Sequence, residues 1–378
     1  MIKFCIFLII TLLTWSMQAQ SMLLKRADSL YAHGNYSKAI ETYKAYEQQD
    51  LVYEKMAKAY LALGNYDLAL KNYDLALNAF PEDALIKYDY AKLLSRSKKL
   101  NDAAVLLSEL VFLDYRNPNY HYELGLVFEK QGDSTAMNRF HSAYELDPTH
   151  QKAIYKLGRY FLAKRNHETS LRYINKGLES YANNVELINL KALNFYWKED
   201  YIEASLWFEK LLDLGENSQF IHEKLSFCYA QQALYDKAIV HAKQALQFDP
   251  KNATNLYILG QLYEKIKDYA AAEKWISEAL FIMDQPLNAE YTKLATVLNQ
   301  QGKYKEAIAA LQSAIKENPQ DETAQFFLVR TKDEYYADRD SKIKVYEVFK
   351  DKFPKSIYTP FANMRLRELK DEKFMASE

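Results

Sequence analysis

A small residue recurs at nearly fixed spacing nine times along this chain, and this repeat constrains the fold more than any other feature. The first interval is 30 residues, and the other seven are 33 to 35 residues. A period of about 34 residues is typical of a helix pair that buries its apolar face only against neighbouring pairs. The nine positions are Ala39, Ala69, Ala103, Ala136, Ser170, Ala204, Ala238, Ala272 and Ala307.

A second column of small residues stands eleven or twelve positions before the first column. A bulky residue follows each of its members by three positions, which places the two on one face of a helix. The small residue admits a neighbouring helix and the bulky side chain fills the space beside it. The second column reads Ala27, Ala57, Ala91, Gly125, Gly158, Ala192, Ser226, Gly260 and Ala295.

A third column follows the first by four positions, one helical turn later on the same face. It reads Tyr43, Tyr73, Leu107, Phe140, Ile174, Phe208, Ala242, Ile276 and Leu311. Each unit is therefore predicted to contain two helices, one carrying the second column and one carrying the first and third.

Turn signals separate the two helices of a unit. Gly34, Gly64 and Gly302 follow the last periodic residue of a first helix, which is a helix C-terminal signal. Lys98 and Arg165 stand where two other units would have this glycine. Six of the eight prolines lie at unit boundaries, where a missing N–H and a fixed φ end one helix and begin the next.

These columns resemble the tetratricopeptide repeat, a helix-turn-helix unit of 34 residues, over roughly residues 22 to 321. The residues from Met56 to Pro81 match the family pattern nearly throughout. The resemblance implies an all-α fold, an α-solenoid of about nine to ten repeats in a right-handed superhelix. Only nine glycines and eight prolines in 378 residues leave little room for long loops, which agrees with a helical array.

Three segments are expected along the chain. Residues 1–19 are predicted to be a secretory signal peptide, and residues 20–321 the tandem array of about nine units. Residues 322–378 are predicted to form an atypical terminal unit with a polar helix that caps the array. The Phe-Pro-x-Ser-x-Tyr motif from Phe353 to Tyr358 resembles tetratricopeptide-type units of bacterial envelope assembly and cell-division proteins.

The first residues have the layout of an export signal. A short basic start at Lys3 precedes an apolar run from Phe4 to Trp15, which is too short for a comfortable membrane span of about 20 residues. We expect cleavage near Ala19 and export to the periplasm or to a site associated with the outer membrane. An uncleaved N-terminal anchor is the alternative, since Met17 is larger than the small residue preferred near a cleavage site. After cleavage no membrane span is expected, and association with a membrane-bound complex stays open.

Catalytic, metal and nucleic-acid sites are not indicated. The 49 basic and 50 acidic residues are interspersed, so no global field attracts nucleic acid. The seven histidines lack metal-ligand spacing and are expected in turns or on the surface, and no phosphate-binding or nucleophile-elbow motif occurs. Cys228, the one cysteine left after cleavage, is expected to be buried and inert. We therefore predict no enzyme, no cofactor and no metal.

The remaining candidate site is the face of the first helices. The resemblance implies that residues three before and one after the second column line the concave groove. Tyr and Arg are favoured there because they bury a large area and keep a polar group. The predicted partner-binding residues are Lys58, Tyr88, Lys92, Tyr122, Leu126, Tyr155, Arg159, Asn189, Trp197, Phe227 and Tyr257. Packing alone is the competing interpretation of this strip, since tyrosine is abundant throughout the chain.

Two functions from different classes are compatible with this strip. The first is a non-catalytic scaffold or adaptor of the bacterial cell envelope that binds a segment of one or more partner proteins in the groove. The alternative is a module that binds glycan or peptidoglycan, because aromatic strips also stack on sugars. Trp197 has two interpretations as well, as an exposed ligand contact or as core packing. Trp207 and Trp275 are expected to be partly buried.

Overall fold

The structure, a computed structural model, describes residues 20–283 and 287–375, and every regular element in these ranges is a helix. The first helices of successive pairs are α1 (20–32), α3 (Tyr53–Ala62), α5 (Ala84–Arg96), α7 (Pro118–Gln131), α9 (Gln151–Ala163), α11 (Val185–Trp197), α13 (Gln219–Gln231), α15 (Ala253–Lys265), α17 (Asn288–Gln300) and α19 (Glu322–Tyr335). The second helices are α2 (Tyr36–Lys44), α4 (Tyr66–Ala79), α6 (Leu100–Leu113), α8 (Ala136–Leu146), α10 (His167–Ser180), α12 (Tyr201–Asp213), α14 (Tyr235–Phe248), α16 (Tyr269–Ile282), α18 (Tyr304–Glu317) and α20 (Arg339–Lys352). A last helix, α21, spans Thr359–Met375, and a short 3₁₀ helix spans Gln49–Leu51.

The chain divides into two compact units, one ending at Leu187 and the other beginning at Ile188. In the first unit each helix from α2 to α10 packs against the next, and in the second unit the same holds from α12 to α21. Two first helices also touch their counterparts in the next pair, α5 with α7 and α17 with α19. This successive packing is solenoid architecture, so the predicted all-α solenoid of helix pairs is confirmed.

The three sequence columns form the core of both units. The nine small residues of the first column are all buried, and Ala204 and Ala272 have no exposed surface. At Gly260 of the second column, an added Cβ would lie 2.6 Å from Ile276 Cγ1 and 3.1 Å from the Ile276 backbone nitrogen. Gly260 therefore brings α15 closer to α16 than a larger residue would allow.

The turns within the nine pairs from α1–α2 to α17–α18 share one backbone conformation, whether or not they contain glycine. Gly34, Gly64, Gly132 and Gly302 have φ between 72° and 77°. Five other turns place a residue with a side chain in the same left-handed region, with φ between 56° and 64°. These residues are Lys98, Arg165, Glu199, Ala233 and Lys267. The geometry of the helix pair thus fixes this conformation even where the sequence lacks the residue that favours it.

The terminal helices have a small core of their own. Phe326 of α19, Phe349 of α20 and Leu366 of α21 belong to one buried cluster. The Asp333 carboxylate of α19 is only 7% exposed and accepts hydrogen bonds from Arg365 Nε at 2.9 Å and Tyr346 Oη at 3.0 Å. α21 is thereby attached by both apolar packing and an ion pair whose carboxylate is buried.

Two histidines depart from the expectation that all seven lie in turns or on the surface. His121 has no exposed surface and its Nε2 lies 2.8 Å from the Tyr115 carbonyl oxygen. His222 is 5% exposed, and its Nδ1 lies 2.9 Å from Nδ1 of His241, with the two rings stacked. These contacts, together with that of His222 Nε2 to Asn217 Oδ1 at 2.9 Å, replace hydrogen bonds to water, whereas His121 Nδ1 is buried without a hydrogen-bond partner among the described residues.

Cys228 is fully buried, as the sequence predicts, and burial raises the pKa of its thiol to about 12. The thiol is therefore protonated and unreactive at neutral pH. Within residues 20–283 and 287–375, no cluster of three or more His, Cys, Asp or Glu side chains has metal-binding geometry. The same part of the chain contains no helix that is both long and apolar enough to cross a bilayer.

Candidate partner-binding surfaces

In the first unit the structure brings some of the predicted strip together. Lys92 Nζ lies 4.9 Å from the centroid of the Tyr88 ring, a cation–π contact within α5. Lys58 of α3 lies 3.5 Å from Asp89 of α5, and both line a cavity of about 180 Å³ together with Lys92 and Arg96. Part of the charge of Lys58 is therefore neutralised by its own neighbours.

Basic side chains outnumber acidic ones on the first helices α5, α7 and α9. Glu123 of α7 is half-buried, and burial raises the pKa of its carboxyl group while four nearby cations oppose this rise. These cations are Lys92, Arg96, Lys130 and Lys152. Asp89 also lies close to Lys92 and Arg96, but the cations still outnumber the carboxylates, so this part of the first unit is basic.

Tyr122 does not present an accessible anchor, contrary to the expectation for this position. Its side chain is 9% exposed, and its ring centroid lies 5.7 Å from that of Phe140 and 5.2 Å from that of His150. Burial raises the pKa of the Tyr122 phenol to about 12. Packing between α7 and α8 thus occupies most of this side chain.

The other predicted residues of the first unit keep some accessible surface. Leu126 and Tyr155 are half-buried, and Arg159 is exposed. The strip in this unit is therefore a polar surface with few free aromatic faces.

In the second unit an aromatic cluster surrounds one lysine. Trp197, at the end of α11, is 51% exposed, and Phe227 of α13 is 40% exposed. Both rings contact Tyr196, with centroid distances of 5.3 Å and 5.4 Å. Phe227 also contacts Tyr201 at 5.5 Å, and Lys224 Nζ lies 4.2 Å from the Tyr196 ring centroid. The structure thus favours the exposed interpretation of Trp197.

Large exposed aromatic faces beside a cation are the composition that protein interfaces favour at their centres. The sequence identified Trp197 and Phe227 but not their partners Tyr196, Tyr201 and Lys224. Tyr196 and Lys224 stand four residues after Ala192 and two residues before Ser226, outside the two positions that were read along each first helix. Reading the whole exposed stripe of α11 and α13 would have found them.

Phe227 also lines a cavity of about 640 Å³ in the second unit. α13, α14 and α15 form most of its wall, and Lys293 of α17 contributes one edge. Two further predicted residues, Asn189 and Tyr257, belong to the same unit. Tyr257 is half-buried, with its pKa raised by burial to about 12, and Asn189 is half-buried with a buried Oδ1 that has no hydrogen-bond partner in the described chain.

The other two tryptophans agree with their expected role in packing. Trp207 is partly buried, with Lys191 Nζ 3.9 Å from its ring centroid. Trp275 is also partly buried.

Comparison with protein families identifies the repeat. Models described as tetratricopeptide repeat match residues 21–50 and 60–124, and a model for subunit 3 of the anaphase-promoting complex, cyclosome, matches residues 231–314. The chain is a tetratricopeptide repeat protein.

Three curated proteins share this type of sequence. Superkiller protein 3 of Schizosaccharomyces pombe is 21% identical over 265 residues, which cover 66% of this chain and 19% of that protein. Human protein O-mannosyl-transferase TMTC3 is 28% identical over 197 residues, covering 50% of this chain and 21% of the relative. Anaphase-promoting complex subunit 3 of S. pombe is 22% identical over 158 residues, covering 42% and 24%. The aligned part of this chain thus spans only about a fifth of the length of each relative.

Solved structures with a similar arrangement include YrrB, described as a tetratricopeptide repeat protein with an unusual peptide-binding site. It is 16% identical, with a TM-score of 0.45 over 49% of this chain and 95% of YrrB. Yeast Tom70 is 15% identical, with a TM-score of 0.38 over 96% of this chain and 97% of Tom70.

Proposed function

We propose that this tetratricopeptide protein is a non-catalytic scaffold that binds an extended segment of a partner protein on the first helices of its second unit. The observation that carries the proposal is the exposed cluster of Trp197 and Phe227 around Tyr196 and Lys224. These rings are held by neighbouring helices, so little side-chain entropy is lost when a partner covers them. Lys224 adds a charge that favours a carboxylate or backbone carbonyl on that partner.

The first unit supports a separate contribution to binding. Its basic side chains around Glu123 favour acidic segments, and this attraction weakens with salt because most of these charges face solvent. Lys58, Tyr88, Lys92, Tyr155 and Arg159 keep their place in the proposed surface, whereas Tyr122 contributes to packing.

Site-specific crosslinking in the source cell tests the proposal. A photoreactive phenylalanine analogue replaces Phe227 in one variant and Phe281 in the control, because Phe281 is 93% exposed at the end of a second helix of the same unit. We expect discrete protein adducts from position 227 and none from position 281. Equal adducts from both positions, or adducts with glycan strands in place of protein, would contradict the proposal, and the second result would favour the glycan-binding alternative.

We further propose that the protein is exported to a bacterial cell envelope. Support comes from the basic start, apolar run and small residue of residues 1–19, which lie outside the residues that the structure describes. Mass spectrometry of the mature N-terminus, combined with cell fractionation, tests this. We expect a terminus at or near Gln20 in the envelope fraction, and an intact Met1 terminus in the cytosol would contradict it.

A further inference from the structure

Two histidines of the second unit meet where α13 packs against α14. His222 of α13 and His241 of α14 place their Nδ1 atoms 2.9 Å apart, and their rings stack with the centroids 5.2 Å apart. His222 Nε2 lies 2.9 Å from Asn217 Oδ1, so both nitrogens of this ring have protein partners. Since His222 is only 5% exposed, the pair belongs to the core that joins the two helices.

The separation of the two Nδ1 atoms limits the number of protons that the pair can hold. A hydrogen bond between two ring nitrogens needs one that donates and one that accepts. Asn217 Oδ1 accepts from His222 Nε2, so His222 Nδ1 is the acceptor and His241 Nδ1 is the donor. One added proton can enter at His241 Nε2 without breaking this contact. A second proton has to enter at His222 Nδ1, where it meets the hydrogen of His241.

The groups around the pair oppose a second positive charge. Tyr229 of α13 donates to Glu209 of α12, and the Tyr229 ring stacks on His241 with a centroid distance of 5.6 Å. Burial, His222 and Lys237 of α14 lower the pKa of His241, and Glu209 raises it. Burial also lowers the pKa of His222. One carboxylate therefore faces two imidazoles and a lysine.

We propose that the contact between His222 and His241 is an acid-sensitive latch between α13 and α14. At neutral pH both rings are uncharged, and the hydrogen bond between them holds the two helices together. Mild acid adds the second proton, which separates the rings and loosens α13 from α14. α13 carries Lys224 and Phe227, so opening of the latch weakens partner binding at the aromatic cluster. The latch itself is independent of the proposed function, and only its effect on binding rests on that function.

Hydrogen exchange of the wild-type protein tests the latch. Once the helices separate, both histidines take up a proton near the ordinary pKa of about 6.5, whereas the closed pair excludes at least one. Stability of the contact is therefore complete above about pH 6.5 and is lost as pH falls below it. Protection factors of α13 and α14 amides, corrected for intrinsic exchange, should fall about 30-fold from pH 7.5 to 5.0. Unchanged protection would overturn the proposal.

Matched controls locate the effect. Residues 253–375 contain no histidine, so the protection of α17 and α18 should change much less over the same range. His222→Gln combined with His241→Gln takes up no proton there, and α13 and α14 should lose their pH dependence. His121→Gln replaces a buried histidine of the first unit and should leave that dependence intact. A dependence of equal size in the double variant would contradict the latch.

Nitrogen-15 NMR of the imidazoles tests the same point without a substitution. At pH 7.5 we expect one Nδ1 of the pair to carry hydrogen and the other to carry none. His222 should take up its proton only as the protection of α13 is lost. Two imidazoles that both bind protons near pH 6.5 while α13 stays protected would overturn the proposal.

A peptide without ionisable side chains, selected on the wild-type protein at pH 7.5 from a displayed random library, connects the latch to binding. A peptide that requires Phe227 should lose affinity at pH 5.0 in proportion to the open fraction that exchange measures. On the double variant its affinity should be the same at both pH values. Equal binding by the wild-type protein at both values would overturn control of the surface and leave the latch standing. Failure to select any peptide that requires Phe227 would count against the proposed function, while exchange still decides the latch.

Discussion

Five exposed residues in the turns adopt a backbone conformation that favours glycine. Lys98, Arg165, Glu199, Ala233 and Lys267 have positive φ, and none of their side chains is buried. For a residue with a Cβ this region costs about 1 kcal/mol or more relative to the right-handed region. Each of these turns therefore lowers the stability of its helix pair by a small amount that packing offsets.

Replacing Lys98 by glycine should raise the free energy of unfolding by about 0.5–1 kcal/mol, because glycine adopts φ of 62° without a Cβ clash. Hydrogen exchange of the α5 and α6 amides measures this change locally. The matched control is Gly64→Ala, where φ is 73° and nothing lies within 4 Å of an added Cβ. It should lower stability by a similar amount, and the same direction of change in both variants would contradict this explanation.

The residues of the candidate binding surface could be predicted only in part from the sequence. The spacing of the columns placed Phe227 on an accessible face, since helical periodicity fixes which face a residue lies on, whereas the sequence left Trp197 open between an exposed contact and core packing. Tyr122 was misplaced because the same periodicity does not show how far a neighbouring helix covers a ring. Ala242 is the one small member of the third column, yet it is only 4% exposed, and periodicity does not show that neighbouring side chains cover it.

The last helix illustrates how an element of low apolar content is held in place. α21 carries many charged residues, yet Arg365 donates to Asp333 of α19 in a largely buried pair. Burial by itself would raise the pKa of Asp333, but hydrogen bonds from Arg365 and Tyr346 and the charge of Lys342 outweigh it and lower the pKa. The ionised carboxylate is thus the form that attaches α21.

Asp333→Asn should destabilise the attachment of α21 by about 1.5 kcal/mol at neutral pH, because the charge-assisted hydrogen bonds from Arg365 and Tyr346 to the buried carboxylate are weakened, while Arg365 keeps its pairs with Glu368 and Glu372. Hydrogen exchange of α21 amides measures this. A carboxyl group with a lowered pKa stabilises the folded state above its unfolded pKa of about 3.9, and this contribution is lost as pH falls through the lower folded value. The difference between wild type and variant should therefore shrink below about pH 4.

Glu347→Gln is the control for this experiment. Glu347 of α20 pairs with Lys370 of α21, but both side chains are about half exposed, so the pair stabilises the fold by at most about 1 kcal/mol. An effect of Glu347→Gln as large as that of Asp333→Asn would show that the buried pair has no special role in holding α21.

At the scale of the whole molecule, successive packing makes stability a sum of local contributions. Helices contact mainly their neighbours along the chain, so a defect in one pair is expected to act on that pair and the adjoining ones. A single free energy of unfolding describes such a chain poorly, and residue-resolved exchange describes it better.

Leu107→Ala should increase hydrogen exchange in α5 to α8 and leave α15 to α18 unchanged. Leu107 is fully buried, and truncation of such a leucine costs about 2–5 kcal/mol. Val105→Ala is the control on the same helix α6, because Val105 is 58% exposed and should change exchange little. A uniform increase along the whole chain would indicate that the array unfolds as one cooperative body.

The order of the helices could be predicted from the sequence because the 34-residue period repeats the same pattern of small and bulky residues in every unit. The division of the chain at Leu187 and Ile188 had no such signal, since no proline, glycine or charged linker marks it. Boundaries between compact units depend on how strongly successive pairs pack, and a regular pattern of small and bulky residues does not distinguish one junction from another.

The packing of each helix against its neighbours along the chain also has a consequence for design. Because the described helices contact mainly the helices next to them in sequence, a whole pair could be duplicated or removed with changes confined to the two junctions. The length of the surface formed by the first helices could therefore be changed in steps of about 34 residues.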